Sequence, residues 1–600
     1  MITRMTKYSF VLLSEQTEDF LSKLQSLGMV DINREEKAID QPSKELADTL
    51  TQAKQCLTRL KQVAKEKEST ETEPFSGNGE TLLQEASLLF TKRESLKASM
   101  TALKDQIAAA RPWGAFTRED TAKIRSLGFI LHAYTMPERR FRPQWEEEYP
   151  LFVVSRPEGQ VYFVVLEVPG ETYDFPGGEI VFPAVPWNEL QQQLDTQQTE
   201  LDACTHRLEI LSGHMDLLKT HAGELSARLD LYLAGAGAEK QVEDHISLLT
   251  GFIPSENTAE LEACLEKESL YYISEPAQTE DNPPIKLKNN WFARLFEPIG
   301  NMYMLPVYDE LDLTPYFAPF YMLFFGVCLG DMGYGLLLML LGLVGKRFLP
   351  KFRSYLNLVF FLGLGSILMA SLSGSFFGMS VIDLIPAAGE KQSFFFQFTD
   401  MNMFWFAILF GLFQIIFARI LTGIDSIIRK GWQHGMAPFG WAILIIWATV
   451  AYASTMIESL SLPKEASITM VVAGISLIVL FSKPEAPFFK RLGLGVWAMY
   501  DITGVFGDML SYIRLFGLGA SGGILGMVIN TLALSLSGIP YVGWLLTIVL
   551  LLFGHALVLG LSALGAFVHP MRLTFVEFYK NAGFTGGGRD YKPLKSNNNQ

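Results

Sequence analysis

Several ionisable side chains near the end of this chain stand inside sequence that is otherwise apolar. Arg514 lies in GDMLSYIRLFGLGASGG, about twenty residues into an apolar run covering 494–535. His555, His569, Arg572 and Glu577 lie in HALVLGLSALGAFVHPMRLTFVEFYK. A guanidinium at bilayer depth costs at least about 2.5–3.5 kcal/mol on insertion scales, so it is paired, hydrated or functional. Its pKa, above about 12, keeps it charged at any working pH. Such a group is a fixed cation, fit to hold off other cations and to draw the proton from a carboxylic acid brought beside it.

Helical geometry assigns these residues to faces. Gly507 and Ser521 lie seven residues either side of Arg514, with Leu510 and Leu518 alongside, a small smooth surface for a partner helix to slide past. Asp501 and Asp508 share a face turned roughly 120–140° from Arg514, so neither is placed to be its intrahelical ion pair. His569 and Arg572 are i,i+3 neighbours, and Gly565 stands one heptad before Arg572. Each residue also has a purely structural reading. Arg514 can pair with an acid of another span, Arg572 can snorkel to the interface, and either histidine can be hydrogen-bonded in place. Glu577 can be solvated beyond its span, Asp501 can sit at a helix end, and Asp331 can serve a turn. In the functional reading His569 relays protons and Asp501 and Asp508 line a water path.

The chain that positions these residues has two unlike halves. Residues 1–300 carry 79 charged side chains and a net charge of −17, whereas residues 301–600 carry 33 and a net of +3. The contrast excludes a single globular enzyme, a secreted disulfide scaffold and a basic nucleic-acid binder. The four cysteines are far apart with no CxxC pair, which points to neither a metal site nor disulfides. Apolar runs lie near 314–345, 355–379, 402–421, 436–456, 467–482, 494–535 and 541–569, most of them long enough for the ~20 helical residues a bilayer core requires. Basic clusters at Lys346–Arg353, Arg429-Lys430, Lys483–Arg491 and Lys580–Lys595 alternate with loops holding only Lys391 or Lys464. That path predicts eight spans with both termini cytoplasmic. Residues 314–345 form a tight helical pair turning near Gly330–Gly335, and 494–535 and 541–580 are two long tilted helices.

In the soluble half, residues 1–40 with 233–290 read as a membrane-proximal α/β lobe. Residues 112–187 read as a distal lobe, with strands in GFILHAYTM, LFVVSR, VYFVVLEV and GEIVFPAV. Between them, 41–111 and 188–232 carry heptad spacing. Leu46, Leu50, Ala53, Leu57, Leu60 and Ala64 precede a break at 69–79, and Leu82 to Ile107 follow it. From Leu190 to Leu229 the pattern runs unbroken, predicting a helix roughly 60 Å long. These seams are natural partners in an antiparallel coiled-coil rod; a dimerising coiled coil is the alternative. No Walker loop, HExxH or GxSxG occurs in this half, so it reads as a support. The fold class is therefore α+β followed by a polytopic helical membrane domain at 307–580, with 581–600 a flexible tail. The N-terminus has no long apolar run, which places the soluble half in the cytoplasm.

Taken in order, YDELDLTPYFAPFYMLFFGVCLGDMGYGLLL (308–338), SYIRLFGLG (511–519) and HPMRLTFVEF (569–578) resemble subunit a of the rotary V-type ATPases, called subunit I in bacteria and archaea. LTGFIPSEN (249–257) and LKNNWFARLFEPIGNMYMLP (287–306) support the match, which covers nearly the whole length. The resemblance implies two α/β lobes on a bent rod and eight membrane helices, the last two lying against a rotating c-ring whose subunits each carry an ion-binding carboxylate. It implies a stator of the cell's inner membrane that forms half-channels for protons or sodium ions. Its partners would be the c-ring, peripheral-stalk subunits, the central-stalk cap subunit and the lipid bilayer, with no nucleic acid, no cofactor and no catalysis of its own. By motif, Arg514 faces the ring carboxylate and Arg572 is its companion. His569 takes a polar position one turn before that arginine, and Asp501 falls where an acid can line the inner half-channel. Asp508 and Glu577 complete the ion-path set. Eukaryotic relatives often carry a glutamate ten residues before the last-span arginine where this chain has Ser562, so its outer path must use other groups. A secondary ion transporter with a soluble regulatory domain, the rival reading, tends to show internal repeats, and none is found here.

Overall fold

The computed structural model describes residues 1–34, 40–66, 74–168, 170, 178–241, 245–267, 270–384, 398–456 and 463–595. Two compact units emerge: Val11–Leu249 with Pro593–Gln600, and Met1–Phe10 with Thr250–Lys592.

In the first of these, the heptad stripes become four helices: α1 (Gln41–Glu66), α2 (Gly79–Ala110), α3 (Trp187–Ser212) and α4 (Met215–Ala236). Leu50, Ala53, Leu60, Leu82, Ala86, Leu208, Leu211 and Leu218 share one core, as apolar seams must in water. α2 runs antiparallel to α3. Ser99 Oγ donates to Gln197 Oε1 at 2.7 Å, Lys92 pairs with Glu200 at 3.1 Å, and Leu103 and Ala110 meet Leu190 beyond them. The helix expected to run unbroken from Leu190 to Leu229 is two helices. At the join the N–H groups of Gly213 and His214 bond only three residues back, to Ile210 and Leu211. Glycine weakens the α-helix there and the tighter 3₁₀ pattern takes over. Part of the expected break at 69–79 lies outside the described residues.

The same unit holds a four-stranded antiparallel sheet of Leu151–Ser155, Gln160–Glu167, Ile130–Pro137 and Glu179–Ile180, in that spatial order. Val161, Phe163 and Val165, at every second position, are buried against Tyr134, Met136 and Leu151. The last strand is shorter than GEIVFPAV predicts, because Pro183 cannot donate to a ladder. His132 ties three strands together, its ring nitrogens 2.8 Å from Glu167 and 2.7 Å from Glu179.

In the other unit a small core of Met5, Phe252 and Ala277 packs with Tyr308 and Tyr591. The tail expected at 581–600 is not loose over its described part in this unit. The N–H groups of Gly587 and Gly588 donate to Leu305 O, Ile285 N donates to Arg589 O, and Glu310 accepts from Thr585 and Gly586. Gly586 (φ 70°) and Gly587 (φ 101°) supply the left-handed backbone that turns the chain back.

Among the described residues, six helical stretches here are long and apolar enough to cross a bilayer: Pro350–Ser373, Asp400–Lys430, Trp432–Ser454, Lys464–Phe481, Phe488–Leu536 and Gly543–Asn581. Two shorter helices precede them, α5 (Thr314–Leu329, 16 residues) and α6 (Met332–Phe348, 17 residues). The chain turns between them at Gly330 (φ 63°) and Asp331, as expected for 314–345, but they are not a tight pair: Gly326 of α5 and Gly335 and Gly342 of α6 pack instead against Gly365, Gly363 and Leu356 of the helix that follows. The fully buried Asp331 carboxylate accepts from the N–H groups of Tyr334, Phe377 and Gly378 and from the Ser375 hydroxyl, all at 2.8–3.0 Å. It holds a turn. The remaining membrane helices are α7 (Arg353–Ser373), α8 (Asp400–Lys430), α9 (Trp432–Met456), α10 (Lys464–Phe481), α11 (Phe488–Ala498), α12 (Ile502–Ser511), α13 (Ile513–Leu536) and α14 (Gly543–Arg572). Lys391 lies outside the described residues.

Two local distortions position the site. The long helix expected over 494–535 is stepped at Met499–Asp501 and again at Tyr512. The Tyr512 ring is wholly buried against Gly411, where a Cβ would lie 2.2 Å from it, and its hydroxyl donates to Gln414 Oε1 at 2.8 Å. After α14 comes a π-helical turn, Leu573–Phe578. Pro570, inside α14, has no N–H for the preceding turn, and the backbone re-registers just beyond it.

Candidate functional site

Arg514 stands in the first turn of α13, half-buried, with its Nη1 enclosed. Among the described residues that atom has no hydrogen-bond partner and the guanidinium has no ion pair. The surface beside it carries Gly507, Leu510, Gly517 and Ser521, all exposed, and a Cβ at Gly507 or Gly517 would meet no atom within 4 Å. α13 packs on α14 through small residues, Gly522 against Ser562 and Gly554 against Ile529. This packing brings His569, half-buried, under the charges of both Arg514 and Arg572. Arg572 itself is exposed at the end of α14.

The three acids divide. Glu577, carried inward by the π-turn, is 2% exposed and feels Arg514, and its Oε2 has no partner among the described residues; the Ser511 hydroxyl donates to Gly507 O at 3.2 Å. The solvated reading of Glu577 therefore fails. Asp508 is buried and bound, at 3.2 Å by Lys580 Nζ and at 2.8 Å by Asn581 Nδ2. Asp501 is exposed and lies 3.6 Å from Arg419 of α8. Neither Asp501 nor Asp508 pairs with Arg514, as the helical angle requires. His555 Nε2 donates to Asn530 Oδ1 at 3.0 Å and its Nδ1 lies 2.8 Å from Tyr334 Oη, a structural histidine away from Arg514.

Sequence reasoning missed two residues of α8. Arg419, whose side chain is 14% exposed, pairs with Asp501 and lies over the Trp441 ring at 5.9 Å. Gln414 is fully buried, with Nε2 unpartnered among the described residues. Their signal was an arginine and a glutamine inside an apolar run, the same signal that drew attention to Arg514. Neither of two cavities in this unit is lined by Arg514 itself. One, of about 330 Å³, is lined by Arg419, Trp441, Trp497, Tyr500 and Asp501. The other, of about 340 Å³, reaches Gly330, Ser375, Asp400, Phe516, Gly519 and Gly523. In chain order Arg514 falls between the two linings.

Residues 187–355 match the model of the V-type ATPase 116kDa subunit family. The V-type ATP synthase subunit I of Borreliella burgdorferi is 24% identical over 99% of this chain and 99% of its own length. The A-type ATP synthase subunit I of Methanocaldococcus jannaschii is 26% identical over 69% of this chain and 64% of its own. A crystal structure of the cytoplasmic N-terminal domain of subunit I, homolog of subunit a, of V-ATPase aligns over 45% of this chain and 100% of its own at 16% identity, with a TM-score of 0.22, too low to bear on the fold.

Proposed function

The chain belongs to the V-type ATPase subunit I family and is a membrane-sector subunit of a rotary ATPase; we propose that it is the stationary wall of the ion path, against which a ring of carboxylate-bearing c subunits turns. The observation that carries this reading is Arg514, a permanent cation with no ion pair among the described residues, on an exposed face of small residues, with one cavity lined by residues before it in its helical stretch and one by residues after it.

The chemistry follows from electrostatics. A ring carboxyl about 4 Å from Arg514, at an effective dielectric constant near 20, is stabilised as carboxylate by about 4 kcal/mol, roughly three pK units. A loaded carboxyl therefore gives up its ion before passing the arginine, and the freed proton or sodium ion leaves by the cavity on that side. The same charge repels any ion moving directly from one cavity to the other, so transfer requires rotation. Arg572 and His569 extend the positive edge on α14. Asp501, Asp508 and Glu577 line the inner half-channel. The α/β lobes and the antiparallel helices tie this wall to peripheral stalks, with the central-stalk cap nearby, so that torque turns the ring and not the subunit. In this reading α5 and α6 complete eight spans, both termini are cytoplasmic and the membrane is the cell's inner membrane.

The test is Arg514→Gln in the assembled complex, reconstituted into vesicles. ATP-driven ion uptake is expected to disappear while the subunits stay together. Uptake at the unmodified rate by an intact variant complex would remove Arg514 from the mechanism.

A further inference from the structure

After α7 the chain folds back as a short hairpin, Ser375 opposite Ser380 and Phe376 opposite Met379. Phe377, at its tip, has φ 49°, a left-handed backbone that bulky residues rarely adopt. Such a residue persists only where its surroundings over-determine it. Here they do so on both sides. Phe377 N–H donates to Asp331 Oδ1 at 2.9 Å, and Phe377 O accepts from Asn530 Nδ2 of α13 at 2.7 Å. These bonds continue into a closed ring. A backbone carbonyl only accepts, so the Asn530 amide nitrogen faces Phe377 and its Oδ1 faces His555 Nε2 of α14, 3.0 Å away. That oxygen also only accepts, so His555 carries its proton on Nε2, and Nδ1 of the neutral imidazole accepts from Tyr334 Oη at 2.8 Å. Tyr334 N–H returns to Asp331 Oδ1 at 3.0 Å. The Phe377 ring covers the circuit, 5.6 Å from His555 and 5.4 Å from Tyr334, steeply inclined to both.

We infer that this circuit is the anchor that stops α13 from sliding along its axis, and that Asn530 and His555 are positioning residues for Arg514. The inference rests on the stationary-wall reading, in which a ring dragged past α13 loads it sideways and along its length. α13 also meets its neighbours at small residues, Gly519 on Val327, Gly522 on Ser562 and Gly526 on Gly378. Such seams allow close approach, yet one small residue presents much the same surface as the next, so they resist axial movement poorly. Hydrogen bonds fail within about half an ångström of their proper length and therefore fix register. Asn530 lies sixteen residues beyond Arg514, roughly 24 Å along the helix. α13 is thus gripped at Tyr512 near one end and at Asn530 toward the other. An Arg514 free to shift would let ring carboxyls pass unmet, and ATP would be hydrolysed without transport.

Two measurements on the assembled complex test this. His555→Leu orphans Tyr334 Oη and Asn530 Oδ1, and Asn530→Leu orphans His555 Nε2 and Phe377 O. The double variant orphans only Tyr334 Oη and Phe377 O. Its loss of Tm in detergent should therefore be about half the sum of the two single losses. Additive losses would overturn the circuit. That result stands whatever Arg514→Gln does to transport, so failure of the anchor and failure of the wall reading are separate outcomes. In vesicles His555→Gln can keep both bonds, its amide nitrogen donating to Asn530 and its oxygen accepting from Tyr334. It should retain ion uptake per ATP hydrolysed, whereas His555→Leu should lose most of that uptake while still hydrolysing ATP. Should His555→Leu fail to assemble, Tyr334→Phe, which deletes a single hydroxyl, takes its place and should show the same loss. Hydrolysis and uptake falling in proportion would reduce the circuit to a structural contact and overturn the positioning role. His555→Gln failing as His555→Leu does would make the imidazole itself the requirement and overturn it as well.

Discussion

The face around Arg514 offers a perturbation whose effect inside the chain and outside it should differ in sign. A Cβ added at Gly507 or Gly517 meets nothing within 4 Å, so leucine at either position has room in this chain. Replacing glycine in a helix interior also favours the helix by about 0.5–1 kcal/mol. The isolated subunit should therefore be no less stable. If a partner helix slides past this face at the close approach small residues permit, the same leucine must be forced into a packed contact. Overpacking of that kind costs about 1–3 kcal/mol. Met at the top of every rotational step, that cost slows turnover by about five- to 150-fold, since each 1.36 kcal/mol is a factor of ten. The assay is ATP hydrolysis and ion uptake by reconstituted complexes carrying Gly507→Leu or Gly517→Leu. Gly493→Leu is the control, since it is equally open but lies on α11, away from Arg514. Assembled Gly507→Leu and Gly517→Leu complexes that turn over like the Gly493→Leu control would show that this face meets lipid and nothing that moves.

Two further predictions concern the scaffold. Asp331→Ala leaves one buried and two partly buried backbone donors unpaired, the buried one alone worth about 1–3 kcal/mol, so the variant should lose several degrees of Tm in detergent or fail to accumulate; an unchanged Tm would contradict the capping role. His132, whose pKa is raised above the ordinary 6.5 by its hydrogen bonds to Glu179 and then Glu167, should stabilise the distal sheet fully below that ordinary value and cease to do so as pH rises through the raised one. Hydrogen exchange in Ile130–Pro137 should therefore accelerate on going alkaline by more than the intrinsic rate explains, and His132→Phe should abolish the excess. The same excess in the variant would refute the assignment.

What the sequence revealed of the fold was whatever depends on local chemistry. The heptad seams predicted the antiparallel helices because an apolar stripe must be covered whichever partner covers it. GDMGYG predicted the turn because a glycine with positive φ and a capping aspartate form one in any context. The breaks at Gly213 and Tyr512 escaped notice for a common reason: the pattern stays in phase across them. Leu211, Met215 and Leu218 keep the heptad beat over the first. The second depends on Gly411 and Gln414, the latter 98 residues away along the chain. Glu577 was ambiguous because its burial requires the re-registration after Pro570, which shifts the face on which a residue lands.

Arg514 and Arg419 show how far an arginine in an apolar run can be interpreted. Both carry an insertion penalty that has to be offset, and sequence alone gives them equal standing. Arg419 is answered within its own chain by Asp501 and the Trp441 ring, which the helical period of α8 could not have disclosed. Arg514 feels the Glu577 carboxyl but has no ion pair among the described residues, and it stands beside glycines that leave its approach clear. A charge already balanced in its own chain needs no other molecule. A charge left unbalanced in a low-dielectric setting must either draw water or meet its counter-ion on a partner, and the open, small-residue face beside it is shaped for the second. The functional arginine is thus marked by the pairing its own chain leaves unmade.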